Sequence, residues 1–173
     1  MSSTASIEAF IQSGRRPDSI VIGPGLGRDG RTIEAVKAIL EMTTEQGIPI
    51  VVDADAVRAL PRGKWLRGMT GVATPHEAEA SRWLEGAEPA EALSECLEED
   101  ATIVITGPED LLTGPGGRNA SARGGHPRMA VGGTGDLLAG AIGGLLAQGM
   151  SPWPAARLGC ALLREAGSKA AGE

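Results

Sequence analysis

The sequence predicts an α/β domain built on a mostly parallel, doubly wound sheet with helices on both faces. Short Val- and Ile-rich runs bounded by turn residues alternate with segments of helical periodicity. The runs are continuously apolar rather than alternating, as in parallel strands covered on both sides. The 173 residues, 42% of them hydrophobic, are enough to bury a core, and no internal repeat or linker divides them, so residues 1–173 are expected to form one domain.

The first predicted strand is Ser19-Ile20-Val21-Ile22. A helix follows over Thr32 to Gln46, where Ile33, Val36, Ile39 and Leu40 recur at helical spacing and Gly47 stands where a helix stops. Ile48 to Val52 and Gly71 to Thr74 are the second and third strands. Helical patterns then cover Glu77 to Leu84 and Pro89 to Glu99, the latter with Leu93 and Leu97 on one face, before a fourth strand at Thr102 to Thr106. The Gly-rich stretch Asp110 to Arg128, with Gly114-Pro115-Gly116-Gly117 inside it, suggests a hairpin or loop and a candidate flap. Asp136 to Gln148 is strongly apolar and helical, and Ser151 to Ala171 supplies one or two last helices.

Composition narrows the function. With one Phe, three Trp and no Tyr, the core is expected to consist of Ala, Leu, Ile and Val rather than aromatic plates. Gly and Pro make up about a fifth of the chain, below the level of low-complexity disorder, so the glycines shape loops. A net charge of −6 with few aromatic residues argues against a nucleic-acid partner. A small phosphorylated ligand remains compatible, because backbone N–H groups can hold it. Cys96 and Cys160 lack metal-site spacing and read as two buried thiols in a reducing compartment. The start, Met1 to Ser6, has neither a basic segment nor an apolar run, and the longest apolar stretch, Leu137 to Ala147, is far shorter than the ~20 residues that span a bilayer. A soluble, cytoplasmic protein without membrane association is expected.

Ligands of parallel α/β sheets bind at the carboxyl ends of the strands, which makes the segments after each predicted strand the site candidates. These are Gly23-Pro24-Gly25-Leu26-Gly27-Arg28-Asp29, Asp53-Ala54-Asp55, Thr74-Pro75-His76-Glu77 and Gly107-Pro108-Glu109-Asp110. The sharpest feature is Gly132-Gly133-Thr134-Gly135-Asp136 opening an apolar helix. Its glycines let successive N–H groups converge on an anion, and the helix dipole adds to them. Asp136 can accept a proton from a substrate hydroxyl, or it is simply a helix cap. Asp53 and Asp55 either position a cation through water or start a helix. His76 and Glu79, three residues apart, share one face of a helical turn and can orient a ligand together. His76 and His126 have no metal-ligand spacing, and no protein-borne metal site is expected.

Taken in order, Ile22 to Asp29, Val52-Asp53-Ala54-Asp55-Ala56, Thr74-Pro75-His76 with Glu79, and Met129 to Gly140 around the glycine turn resemble the ADP/ATP-dependent NAD(P)H-hydrate dehydratases of the ribokinase-like superfamily. The resemblance runs from about residue 19 to the end. It implies a three-layer sandwich and repair of hydrated NADH or NADPH, in which ADP or ATP phosphorylates the hydrate hydroxyl and elimination restores the dinucleotide. Asp136 would be the base and Gly132 to Gly135 the anion hole. Gly25, Gly27, His76 and Glu79 would contact the hydrate. Thr106, Gly107, Pro108, Glu109 and Asp110, with His126 to Val131 and so Met129, Ala130 and Val131, would form the nucleotide edge. Mg²⁺ is implied by the phosphoryl chemistry. Two departures stand out: the family carries further βα units before the Gly-Pro-Gly-Leu-Gly loop, and it has Lys-Gly where this chain has Thr106-Gly107. The shortened start is expected to leave a sheet edge that copies of the chain cover by assembling. Alternatives are a small-molecule kinase of the hydroxymethylpyrimidine or hydroxyethylthiazole type and a nucleotide-binding subunit without catalysis.

Overall fold

The computed structural model describes residues 16–97, 100–170 and 172. Six strands form one sheet in the order of the chain: β1 (Ile20–Ile22), β2 (Ile50–Val52), β3 (Gly71–Ala73), β4 (Ala101–Ile105), β5 (Asp110–Gly114) and β6 (Arg118–Ala122). The first four run parallel, and β5 and β6 are antiparallel additions at one edge. The strand order does not reverse among these six, so the second helical layer comes from the helices that follow the hairpin.

Period-two geometry divides the apolar strand residues between two cores. Ile50, Val52, Ala73 and Ile103 face one layer with Val36, Ile39 and Leu40. Those three, with Thr43, are the buried stripe of α1 (Gly30–Glu45). Val51, Val72 and Val104 face the other, with Leu138, Ile142 and Cys160 from α4 (Thr134–Ala147) and α5 (Pro152–Ala170). Both faces are therefore covered, as continuous apolar strands require. The Asp29 carboxylate caps α1 by accepting the Arg31 N–H at 2.8 Å.

Several boundaries shift from the sequence expectation. α2 (Glu77–Leu84) matches it. The helix expected over Pro89 to Glu99 is a single turn, α3 (Pro89–Ala92), while Glu98 and Glu99 lie outside the described residues. The Trp65 N–H takes the Ala92 carbonyl at 3.0 Å, and the Cys96 N–H turns to Leu93 instead. Leu97 is consequently exposed and Cys96 only half-buried, not buried like Cys160. Burial still pushes the Cys96 thiol up to about 11 and the Cys160 thiol up to about 12. The last segment is one helix, Pro152–Ala170, with Ala171 outside the described residues. The candidate flap is a hairpin belonging to the sheet. The core is not wholly aliphatic either: Trp65 and Trp83 are both buried, 6.4 Å apart, each with its indole N–H donated to backbone carbonyls. No described helix is long and apolar enough to cross a membrane.

Candidate active site

The register fixes the site. Ile22 lies beside Val52, and Val52 beside Ala73, so the residues one step further, Gly23, Asp53 and Thr74, form a row along the strand ends. Gly23 has a φ of +139°, and a Cβ there would sit 1.7 Å from the Asp53 carbonyl oxygen, so only glycine lets the first loop leave β1 at this point. The loop holding Gly25 and Gly27 is tied to the segment after β2 by the Arg28–Asp55 ion pair at 3.0 Å. That pair gives Asp55 a structural partner. Gly25 and Gly27 themselves sit outside the lining of the main cleft.

Asp53 starts the 3₁₀ turn Ala54–Ala59 without capping it through its side chain. Only 5% exposed, its carboxyl is raised above the usual carboxylate range, chiefly by burial and further by the charges of Glu79 and Asp136. The Ala54 N–H pulls the other way, as does the nearby Thr74 hydroxyl, which is buried without a partner at hydrogen-bonding geometry. The charges of two carboxylates from other parts of the chain thus bear on Asp53.

His76 and Glu79 serve each other as much as any ligand. His76 Nδ1 accepts the Ala78 N–H at 3.1 Å, Glu79 accepts the His76 N–H at 3.1 Å, and His76 Nε2 lies 3.3 Å from Glu79 Oε1. This pattern assigns the imidazole proton to Nε2 and fixes the side chain at the start of α2. His76 also pairs with Thr106 across the open ends of β3 and β4.

A cleft of about 740 Å³ opens there. Among the residues proposed from the sequence, it is lined by His76, Thr106, Gly107, Pro108, Asp110, Met129, Ala130, Val131, Thr134 and Gly135. Glu109 turns away to Arg123 at 2.7 Å, and its bonds to Ser121 and Arg123 hold its carboxyl below the usual range. Asp110 lines the cleft, but both its oxygens are engaged, at 2.7 and 2.8 Å, by Arg164. Glu109 and Asp110 thus both carry protein partners at the strand end where nucleotide contacts are expected. Sequence reasoning missed Arg164, which also donates to the Gly107, Pro108 and Gly124 carbonyls at 2.7 to 2.9 Å. Its signal was an arginine on the helix face that carries buried Cys160.

The glycine turn is less occupied. Gly133, with φ +95°, is the N-cap of α4, and no side chain caps the helix. This excludes the cap role for Asp136, which stands exposed in the first turn. The helix's own bonding begins with Leu137 N–H to the Gly133 carbonyl, so the Gly135 and Asp136 N–H groups have no protein acceptor among the described residues. Thr134 Oγ1 donates to the Met129 carbonyl at 2.7 Å and pins the approach to the turn. Gly132, Gly133 and Asp136 adjoin lining residues without lining the cleft themselves. Donors left open at a helix start, beside a carboxylate and a cleft, suit an anion whose charge changes during reaction.

A family model described as NAD(P)H-hydrate dehydratase matches residues 1–173. A bifunctional NAD(P)H-hydrate repair enzyme from Moorella thermoacetica is 35% identical over 167 residues, covering 89% of this chain and 30% of that protein. The ADP/ATP-dependent NAD(P)H-hydrate dehydratase from Bacillus subtilis, co-crystallized with ATP/Mg²⁺, superposes with a TM-score of 0.67 at 28% identity, over 86% of this chain and 54% of that one. A hypothetical protein from Streptococcus mutans, at 22% identity, shares the fold with a TM-score of 0.74 over 99% of this chain and 63% of that one. The chain spans under a third of the Moorella protein and about half of the Bacillus one. With its ribokinase-like fold, shared with these structures and with a Bacillus subtilis pyridoxal kinase, the chain belongs to the NAD(P)H-hydrate dehydratase family.

Proposed function

We propose that the chain dehydrates hydrated NADH or NADPH at the cost of ADP or ATP, as a cytoplasmic repair enzyme. The observation that carries this is the uncapped helix start at Gly133 with Asp136 in its first turn, next to the cleft that His76 and Thr106 line. Asp136 accepts the proton of the hydrate hydroxyl. The freed oxygen attacks the terminal phosphorus of the nucleotide, and the bond from that phosphorus to its bridging oxygen breaks, releasing ADP from ATP or AMP from ADP. The N–H groups of the turn take up charge on the transferring phosphoryl oxygens. Phosphate then leaves with the carbon–oxygen bond's electrons while the neighbouring carbon loses a proton, restoring the double bond.

Mg²⁺ keeps its waters and would arrive on phosphate oxygens. Asp53, on whose carboxyl the charges of Glu79 and Asp136 act, would with Glu79 hold the cation through water. It would supply neutralisation of phosphate charge. His76 and Glu79 orient the hydrate, and Thr106 to Pro108 with Met129 to Val131 hold the nucleotide.

Incubation with hydrated NADH, ATP or ADP, and Mg²⁺ tests the proposal. One NADH, one nucleotide cleaved and one phosphate are expected per turnover. A phosphorylated alcohol accumulating without NADH would instead mark a kinase, and nucleotide binding without turnover a non-catalytic subunit.

A further inference from the structure

A second cleft, of about 560 Å³, lies between the 3₁₀ turn Ala54–Ala59 and α2. Three guanidinium groups line it: Arg58, Arg62 and Arg82. Arg62 is ion-paired with Glu85, whereas Arg58 and Arg82 have no ion-pair partner among the described residues. In a chain of net charge −6, two unpaired arginines facing one cleft run against the overall field. The planar fork of arginine matches the oxygens of a phosphate group better than it matches water.

The position of this cleft matters more than its charge. Glu79 lines it, while His76, 3.3 Å from Glu79, lines the larger cleft. Glu79 is 17% exposed at its side chain, and the His76–Glu79 pair links the lining of one space to the lining of the other. On α2, Glu79, Arg82 and Trp83 lie three and four residues apart and share a face, which aims Arg82 along the same cleft wall as the carboxylate. Each space is of a size that holds a mononucleotide half. A ligand oriented at its reacting end by His76 and Glu79 and extending past Glu79 would meet Arg58 and Arg82.

We infer that the Arg58–Arg82 cleft binds a phosphate group of the distal half of the dinucleotide, either its pyrophosphate or the 2′-phosphate of the NADP form. The inference rests on the proposed placement of the hydrate against His76 and Glu79. It makes Arg58 and Arg82 specificity residues, remote from the transferring phosphoryl group.

Calorimetric titration with NADPH, NADH and ATP, on the wild-type chain and on the double variant Arg58→Gln, Arg82→Gln, tests it. Both positions are exposed, and an unchanged melting temperature would show that the variant folds. The NADPH dissociation constant is expected to rise tenfold or more, with that of ATP held within twofold. Equal weakening of NADH assigns the cleft to the pyrophosphate, and unaltered NADH binding assigns it to the 2′-phosphate. Wild-type protein that fails to bind NADPH, an unchanged NADPH affinity in the variant, or ATP affinity falling in step overturns the inference. Failure of ATP-dependent conversion in the wild type would sink the proposed reaction alone, since NADPH affinity in the two proteins still decides the cleft.

Discussion

The turns at 107–110 and 132–136 border the same cleft but differ in where their polar groups go. In the first, Arg164 takes the Gly107 and Pro108 carbonyls and both Asp110 oxygens, and the Gly107 N–H donates to Asp110 at 3.2 Å. That turn is closed by protein and has a fixed shape. In the second, the Gly135 and Asp136 N–H groups lack protein acceptors and the Asp136 carboxylate is exposed. Internal satisfaction suits a wall, and unspent donors beside a carboxylate suit a place for a ligand.

Breaking the closed turn should have the largest effect on stability. Arg164 and Asp110 are 11% and 8% exposed at their side chains, so Arg164→Met leaves a buried carboxylate uncompensated and is expected to cost about 3–5 kcal/mol in denaturant unfolding. Arg164→Met combined with Asp110→Leu should recover much of that stability without recovering nucleotide affinity, because the Gly107 and Pro108 carbonyls still lose their donor. A smaller effect is expected in the open turn. Gly133→Ala forces φ +95° on a residue with a Cβ and should cost ~1–2 kcal/mol, with ATP affinity falling more than stability does.

Affinity can also be raised from the closed side. Thr106 lines the cleft where the family resemblance places a lysine, so Thr106→Lys adds a charge-assisted donor to phosphate and should tighten ATP binding roughly tenfold by titration. The smallest expected effect concerns Asp53. Its folded-state pKa is raised above the unfolded value, so the folded chain holds more proton between the two values and stability falls as pH rises through that window. Asp53→Asn should therefore match the wild type in acid and gain thermal stability as pH approaches neutrality, while losing activity.

Much of the fold was legible because the four parallel strands are apolar on both faces and end in turn residues; α2 agrees residue for residue with its predicted span. The hairpin was harder to assign. In Arg118-Asn119-Ala120-Ser121-Ala122 the side chains alternate between half-buried and exposed and carry little β-branched character, so nothing in that stretch marks a strand until β5 pairs with it. The candidate site was legible as backbone features, the glycine turn and the strand ends. It was not legible where a side chain reaches across the fold: Arg164 lies 54 residues from Asp110, and no local pattern links them. For the same reason the pairing of Glu109 with Arg123 and of Asp110 with Arg164 has no mark in the local sequence.

The proposed reaction rests on Asp136, the exposed carboxylate of the open turn. The most direct measurement is recovery of NADH absorbance from hydrated NADH with ATP or ADP and Mg²⁺, in wild type and Asp136→Asn, alongside ATP affinity for both. Wild-type conversion, reduced about a thousandfold in Asp136→Asn with ATP affinity and melting temperature unchanged, is the expected result. Conversion by Asp136→Asn at a rate near that of the wild type would contradict it.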